Sequence, residues 1–142
     1  MLFRSDVRKA GLPYLVAERD GAILGYAYAR PFHVRAAYRS TVEDTVYIRP
    51  DAHRQGIGRA LLAQVIARCE AAGFRQMMAL ISQVPGSGSI ALHSALGFHT
   101  MGIAQAVGFK HGRWLDVAYM QRALGAADTT PPAIPLVGKP NG

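Results

Sequence analysis

The run His53-Arg-Gln-Gly-Ile-Gly-Arg-Ala60 carries the densest chemical signal in the chain. A β-prone stretch, Thr41 to Ile48, and a Pro50-Asp51 break precede it. An amphipathic segment follows, with apolar residues at Ile57, Leu61, Leu62, Val65, Ile66 and Cys69, close to the helical period. Gly56 and Gly58 therefore fall where a strand hands over to a helix N-terminus. Backbone N–H groups lack partners there and the helix dipole is positive, so the turn suits a phosphate. Arg54 and Arg59 add charge on either side. Gly-x-Gly at a helix start also makes an ordinary tight turn, so the loop alone leaves both readings open.

Two well-known phosphate loops are excluded. A P-loop needs Lys-Ser/Thr after its last glycine, and the chain has no such pair. A dinucleotide fingerprint needs a small residue three places after Gly58, where Leu61 stands, and an acidic residue about twenty places further on. Both requirements fail.

Composition narrows the classes. The chain has 142 residues, which is one domain with a single core. Half of them are hydrophobic and only 18% are charged, a globular rather than a disordered composition. No apolar run reaches the roughly 18 residues of a membrane span. The N-terminal residues lack a signal-peptide core, so the expected location is cytoplasmic. One cysteine excludes an internal disulfide and a cysteine-cluster metal site, and no metal is expected. Cys69 lies on the apolar helix face and reads as a buried thiol. The formal net charge is +7, but the basic residues are scattered and no nucleic-acid motif is present. An anionic cofactor would need only a local cluster, scattered positive charge is also what a soluble surface carries, and charge alone leaves these readings open.

The elements that must position the loop follow from pattern. Tyr14 to Glu18 and Ile23 to Ala29 read as strands joined at Asp20-Gly21, a hairpin signal. Residues 30–40 read as a basic, proline-bearing loop. Thr41 to Ile48 alternates through Val42, Val46 and Ile48 and reads as a strand. The helix after Gly58 is expected to end near Gly73. Met77 to Ile81 reads as a buried strand, Val84 to Gly88 as a loop, and Ser89 to Leu96 as a short helix stopped by Gly97. Phe98 to Val107 and Trp114 to Gln121 read as closing strands around a turn at residues 108–112. The residues from Gly125 onward, rich in proline, alanine and threonine, are expected to be a disordered tail. The domain is thus residues 1–124 and the tail 125–142. Its fold class is α/β (α+β), a mixed, mostly antiparallel central sheet flanked by helices.

The loop resembles the pyrophosphate loop of the GNAT acyl-CoA N-acyltransferases. Four other stretches are similar to one branch of that superfamily, the phosphinothricin and methionine sulfoximine N-acetyltransferases. They are Gly25 to Ala29, Ala37 to Pro50, Ile90 to Phe98, and Ala106 to Val117 with its Gly-Phe-Lys-His-Gly centre. Together with the loop they span nearly everything from Gly11 to Arg122. The resemblance implies acetyl-CoA as cofactor and a small amine, an amino acid or analogue, as substrate.

It also implies roles. Acetyl transfer from a thioester needs an amine with a free lone pair, so a base must first deprotonate the ammonium. The glutamate matching Glu43 is the family's candidate base, directly or through a water. Val46, Tyr47 and Ile48 would lie beside the pantetheine arm, with one backbone N–H polarising the thioester carbonyl. Arg54, Gln55, Gly56, Ile57, Gly58 and Arg59 would hold the pyrophosphate. His93 stands where many relatives place a tyrosine that protonates the leaving thiolate. Phe32, Arg35, Tyr38, Arg39 and Lys110 are candidates for the substrate side, the arginines through bidentate pairing with a carboxylate. Each has a plain alternative. Glu43 would pair with an arginine on the strand surface, His93 would be hydrogen-bonded in the core, and the loop cations would be solvated.

The sequence departs from the pattern at three points. His53 opens the loop where Gln or Arg is usual, and Gly86 replaces an asparagine that contacts the cofactor. The first strand and first helix of the family fold are expected to be absent, an N-terminal truncation. That absence would leave a β edge open at Tyr14 to Glu18, and an open edge predicts a homodimer. A degenerate acyl-CoA-binding module without turnover and a basic nucleic-acid-binding domain are the alternative functions.

Overall fold

The computed structural model describes residues 2–8 and 11–133. Seven strands form one sheet: β1 Leu2–Arg8, β2 Leu12–Arg19, β3 Ala22–Pro31, β4 Thr41–Ile48, β5 Gln76–Ser82, β6 His99–Lys110 and β7 Arg113–Ala123. Two helices, α1 Ile57–Ala71 and α2 Ser89–Ala95, complete the regular structure among the described residues. Single 3-10 turns occupy Ala36–Tyr38 and Pro50–Ala52. The strand order is β1-β2-β3-β4-β5-β7-β6, antiparallel at every junction except β4 with β5.

Short-range chemistry accounts for the hairpins. Asp20 and Gly21 both have positive φ, 52° and 79°, as a two-residue turn matched to strand twist requires. His111 and Gly112 repeat the device at 52° and 74°. The last turn is therefore tighter than the sequence suggests: Gly108, Phe109 and Lys110 pair within β6, opposite Leu115, Trp114 and Arg113.

Along β2, β3 and β4, Leu15, Ala17, Ala27, Ala29 and Val42 are buried. Helix α1 packs on these strands and contributes Ile57, Leu61, Leu62, Val65, Ile66 and Cys69 to the same core. These are the positions its periodicity marked. Gly73 follows the helix at φ +95°, the left-handed residue expected past a helix end.

Two expectations are corrected. The edge at Tyr14 to Glu18 is not open, because β1 pairs along β2 from Leu2 opposite Glu18 to Arg8 opposite Leu12. Backbone pairing along β2 is supplied within the chain, and the case for self-association at that edge falls. The tail is not loose from its start. Arg75 donates to the carbonyls of Ala127 at 2.7 Å, Thr130 at 3.0 Å and Pro131 at 3.2 Å. One guanidinium thus gathers acceptors that have no strand or helix partner. The remainder of the expected tail, residues 134–142, lies outside the described residues. Among the described residues, no helix is long and apolar enough to cross a membrane.

Candidate active site

The ladder between β4 and β5 covers only Thr41 to Glu43, opposite Gln76 to Met78. Beyond Glu43, β4 runs on to Ile48 without a sheet neighbour on that side. The two parallel strands splay, and a cleft of about 580 Å3 opens where they part. One wall is Val46, Tyr47 and Ile48. The floor is the turn that starts α1, with Arg54, Gly56, Ile57, Gly58 and Arg59. The opposite wall is Gly86 to Ser89 with Leu92 of α2.

The turn is built from the glycine-rich run. Gly56 is the N-cap of α1 at φ +75°, and its carbonyl accepts the first helical bond, from the N–H of Ala60 at 3.1 Å. The N–H groups of Ile57, Gly58 and Arg59 consequently have no acceptor inside the helix, and they lie at the cleft floor. Gly58 serves by smallness: a Cβ there would stand 3.3 Å from Leu92 Cδ2 and 3.5 Å from Ile48 Cγ1. Any larger side chain would intrude between the two walls. Arg54 and Arg59, both exposed, bring positive charge to the rim. The floor therefore combines free donors, a helix N-terminus and two cations, a receptor for a phosphate-bearing ligand.

His53, the unusual opening residue, ties the turn to the strand: its Nε2 lies 3.0 Å from the Ile48 carbonyl. A carbonyl only accepts, so Nε2 carries the hydrogen. Gln55 does not line the cleft; its Oε1 accepts from Arg19 at 3.0 Å. Gly86, at φ +80°, has open space where a side chain would stand.

Alternation along β4 sends its two acidic residues to opposite faces. Glu43 faces away from the core with its side chain 12% exposed, and it accepts from Arg30 Nη2 at 3.0 Å. On that outer face Tyr14 stacks on Tyr28 at 5.2 Å, and Tyr26 meets Tyr47 at 5.3 Å. Burial and the neighbouring phenols raise the pKa of Tyr26. Asp44 points the other way, into the core, where its Oδ2 lies 2.8 Å from Nε2 of His93. His93 is 2% exposed. Its Nδ1 lies 2.8 Å from the Ser89 carbonyl, and its ring packs edge-on against Phe98 at 4.9 Å. Burial opposes charge on this imidazole. The hydrogen bond and charge of Asp44, with the Ser89 carbonyl, outweigh burial and raise its pKa.

The substrate-side candidates divide. Phe32, Arg35, Tyr38 and Arg39 lie on one loop that folds back on the start of β4, where the Phe32 N–H donates to the Thr41 carbonyl at 3.2 Å. The loop leaves β3 one residue after Arg30–Pro31, beside Glu43. Tyr38 is 48% exposed and takes the His33 ring edge-on at 5.1 Å. Lys110 stands at the exposed tip of the β6–β7 hairpin and is not part of the cleft lining. Asp44 and the wall from Ser87 to Ser89 were not singled out from sequence. The signal for Asp44 was present: it lies two residues from both Val42 and Val46, on the inward phase of β4.

The comparisons with known proteins agree with this geometry. The model of the acetyltransferase (GNAT) family matches residues 2–98. The chain belongs to the GNAT acetyltransferase family. It is 56% identical over 128 residues to the phosphinothricin N-acetyltransferase of Alcaligenes faecalis, covering 90% of this chain and 65% of that protein. It is 39% identical to the L-amino acid N-acyltransferase MnaT of Escherichia coli, covering 88% of this chain and 72% of the relative. Among solved structures, a GNAT superfamily phosphinothricin acetyltransferase from Sinorhizobium meliloti, in complex with AcCoA, superposes with a TM-score of 0.81. The identity is 54%, and the match covers 87% of this chain and 66% of that one. The chain spans about two thirds of the length of these phosphinothricin acetyltransferase relatives.

Proposed function

We propose that this GNAT chain is an N-acetyltransferase that moves an acetyl group from acetyl-CoA to the amine of a small amino acid or analogue, of the phosphinothricin or methionine sulfoximine type. The observation that carries the reading is the Gly56–Gly58 turn at the head of α1, open to the cleft beside the splayed end of β4. The pyrophosphate of coenzyme A sits on the free N–H groups of that turn, with Arg54 and Arg59 at its rim. The pantetheine arm follows the unpaired edge of Val46 to Ile48. An N–H of that edge polarises the thioester carbonyl as negative charge develops on its oxygen.

Glu43 takes the proton from the substrate ammonium, directly or through a water, and the freed lone pair attacks the carbonyl carbon. Its pairing with Arg30 holds the carboxylate near the point where the loop of Phe32, Arg35, Tyr38 and Arg39 leaves β3. That loop supplies the cations for a substrate carboxylate. His93 is the proton source at thiolate departure, with Ser89 between it and the cleft. Acetyl-CoA, a small amine, a cytoplasmic location and a homodimer belong to this same reading. Self-association is better served by β6 than by β2, since β6 is the edge strand at the other end of the sheet and exposes Met101, Ile103, Val107 and Phe109.

Calorimetric titration with acetyl-CoA, followed by a thiol-release assay over a panel of amino acids and analogues, tests the reading. Saturable binding and thiol release are expected. Gly58→Val is expected to abolish binding while the domain stays folded by circular dichroism. Binding without thiol release from any amine would favour an acyl-CoA-binding module instead. Unchanged binding by Gly58→Val would remove the basis for placing the pyrophosphate. Light scattering at high micromolar concentration checks the dimer.

A further inference from the structure

His93 faces two acceptors at once. The Ser89 carbonyl lies at Nδ1 and the Asp44 carboxylate at Nε2, each at 2.8 Å. An imidazole that satisfies both as a donor carries both protons, an imidazolium against a carboxylate. Holding α2 to β4 does not require this pair. Apolar residues of similar volume would pack there without taking two charges out of water. The ring also has a route to the cleft. Ser89 Oγ lies 3.4 Å from Nδ1, and Ser89 is part of the cleft wall that faces Val46 and Ile48.

We propose that Asp44 is a positioning residue for acetyl transfer, holding His93 doubly protonated so that Ser89, at the cleft wall, passes a proton to the departing coenzyme A thiolate. The proposal rests on the acetyl-transfer reading above. When the tetrahedral adduct collapses, the carbon–sulfur bond breaks and its electron pair goes to sulfur. The Ser89 hydroxyl gives its proton to sulfur and takes one from His93 Nδ1. His93 is left neutral, with its Nε2 hydrogen still donated to Asp44. The adduct nitrogen loses its second proton to solvent as the amide forms, and the proton that Glu43 took first is also released to solvent. His93 regains one before the next turnover, so one proton is released net per acetyl group moved. The arrangement has the order of an acid–imidazole–hydroxyl relay, recognised by geometry rather than by position in sequence.

The titratable groups around the ring are few. Asp44 comes from β4 and His93 from α2. Cys69 of α1 lies near Asp44, and burial, then the charges of Asp44 and Glu70, push its thiol up to about 12. Cys69 therefore stays uncharged through the working range. Glu70 and Arg122 pair with each other at 3.8 Å. Glu43 and Arg30 belong to the opposite face of the sheet.

The test uses the full chain, with Asp44→Asn, Ser89→Ala and Ser89→Thr beside the wild type. In histidine labelled with nitrogen-15, the wild-type His93 ring is expected to show both nitrogens protonated at about pH 7, above the ordinary histidine value of about 6.5, and Asp44→Asn only one. Asp44→Asn is expected to lower kcat about a hundredfold and to move the alkaline limb of the kcat profile to lower pH. Calorimetric affinity for acetyl-CoA should be retained. Ser89→Ala should lose rate similarly, and Ser89→Thr should recover it. A wild-type ring neutral near pH 7 overturns the proposal, and so does an Asp44→Asn profile with its limb unmoved. The first of these needs no variant to fold. A wild type that releases no thiol defeats the acetyl-transfer reading itself, whereas a wild type that turns over alongside an unaffected Ser89→Ala defeats only the relay.

Discussion

Glu43 and Asp44 are neighbours of like charge on one strand, and the two faces of that strand treat them in opposite ways. Glu43 meets a half-exposed arginine on a face lined with stacked tyrosines. Asp44 meets a histidine in the core, and both side chains are almost wholly out of solvent, at 3% and 2%. One residue of register separates a carboxylate on the outer face, paired with an exposed arginine, from one that can reach only its partner in the core. The strand period of two does this without any difference in residue chemistry. What a carboxylate can do is set by its phase along the strand and by what the opposing element brings to it.

The comparison breaks most visibly in rate. Glu43→Gln keeps shape and hydrogen bonding but cannot accept a proton, so kcat is expected to fall about a hundredfold to ten-thousandfold. Acetyl-CoA affinity should stay close to wild type, because the cleft lining begins at Val46. Thiol release and calorimetry on the same preparation check both halves. Wild-type turnover by Glu43→Gln would make this residue a surface carboxylate and nothing more.

Substitution of Asp44, unlike that of Glu43, is expected to cost stability as well as rate. Asp44→Ala strands the imidazolium, or forces it neutral, in a site built for charge. Breaking a buried pair from one side costs about 3–5 kcal/mol, which urea denaturation reads as a large drop in midpoint. Glu43→Gln should move the midpoint little. If both variants lose stability equally, the two faces do not differ as the burial indicates.

Much of this contrast was legible in the sequence, though not all of it was read. Val42, Val46 and Ile48 fix the phase of β4, and Thr41 to Ile48 is the strand found. The same phase puts Asp44 inward, and an inward acid needs a partner. His93, on the short helix α2, was the candidate. The missed part of the cleft wall, Ser87 to Ser89, has no periodicity to announce it. Its geometry comes from left-handed glycines at residues 86 and 88 and from where α2 lands. β1 escaped notice because Leu2 to Arg8 shows no alternation of apolar and polar residues. The anchoring of residues 127–131 depends on one arginine more than fifty residues away, a contact that composition cannot disclose.

A smaller effect sharpens the core side. His93 has a raised folded pKa, so its contribution to stability is fully present below its unfolded value of about 6.5. That contribution is lost as pH rises through the folded value. Urea midpoints of the wild type should therefore decline as pH rises above about 6.5 by more than those of Asp44→Asn, in which the cause of the shift is gone. Equal slopes in the two proteins would assign the decline to other groups.

The smallest effect belongs to the open face. Arg30 Nη2 donates to Glu43 at 3.0 Å, a distance close to that of the core pair, but its own side chain is 58% exposed. Water already solvates the guanidinium, and salt screens what attraction remains. Exposed pairs of this kind contribute about 0–1 kcal/mol. Arg30→Ala should shift the urea midpoint only slightly, and the shift should shrink further in high salt. Asp44→Ala should stay strongly destabilised under the same salt, because ions do not enter the core to screen it. Two pairs of nearly equal length would then differ several-fold in energy through burial alone. If Arg30→Ala proved as costly as Asp44→Ala, the low exposure of Glu43, 12%, would govern the energy of the pair rather than the 58% exposure of Arg30.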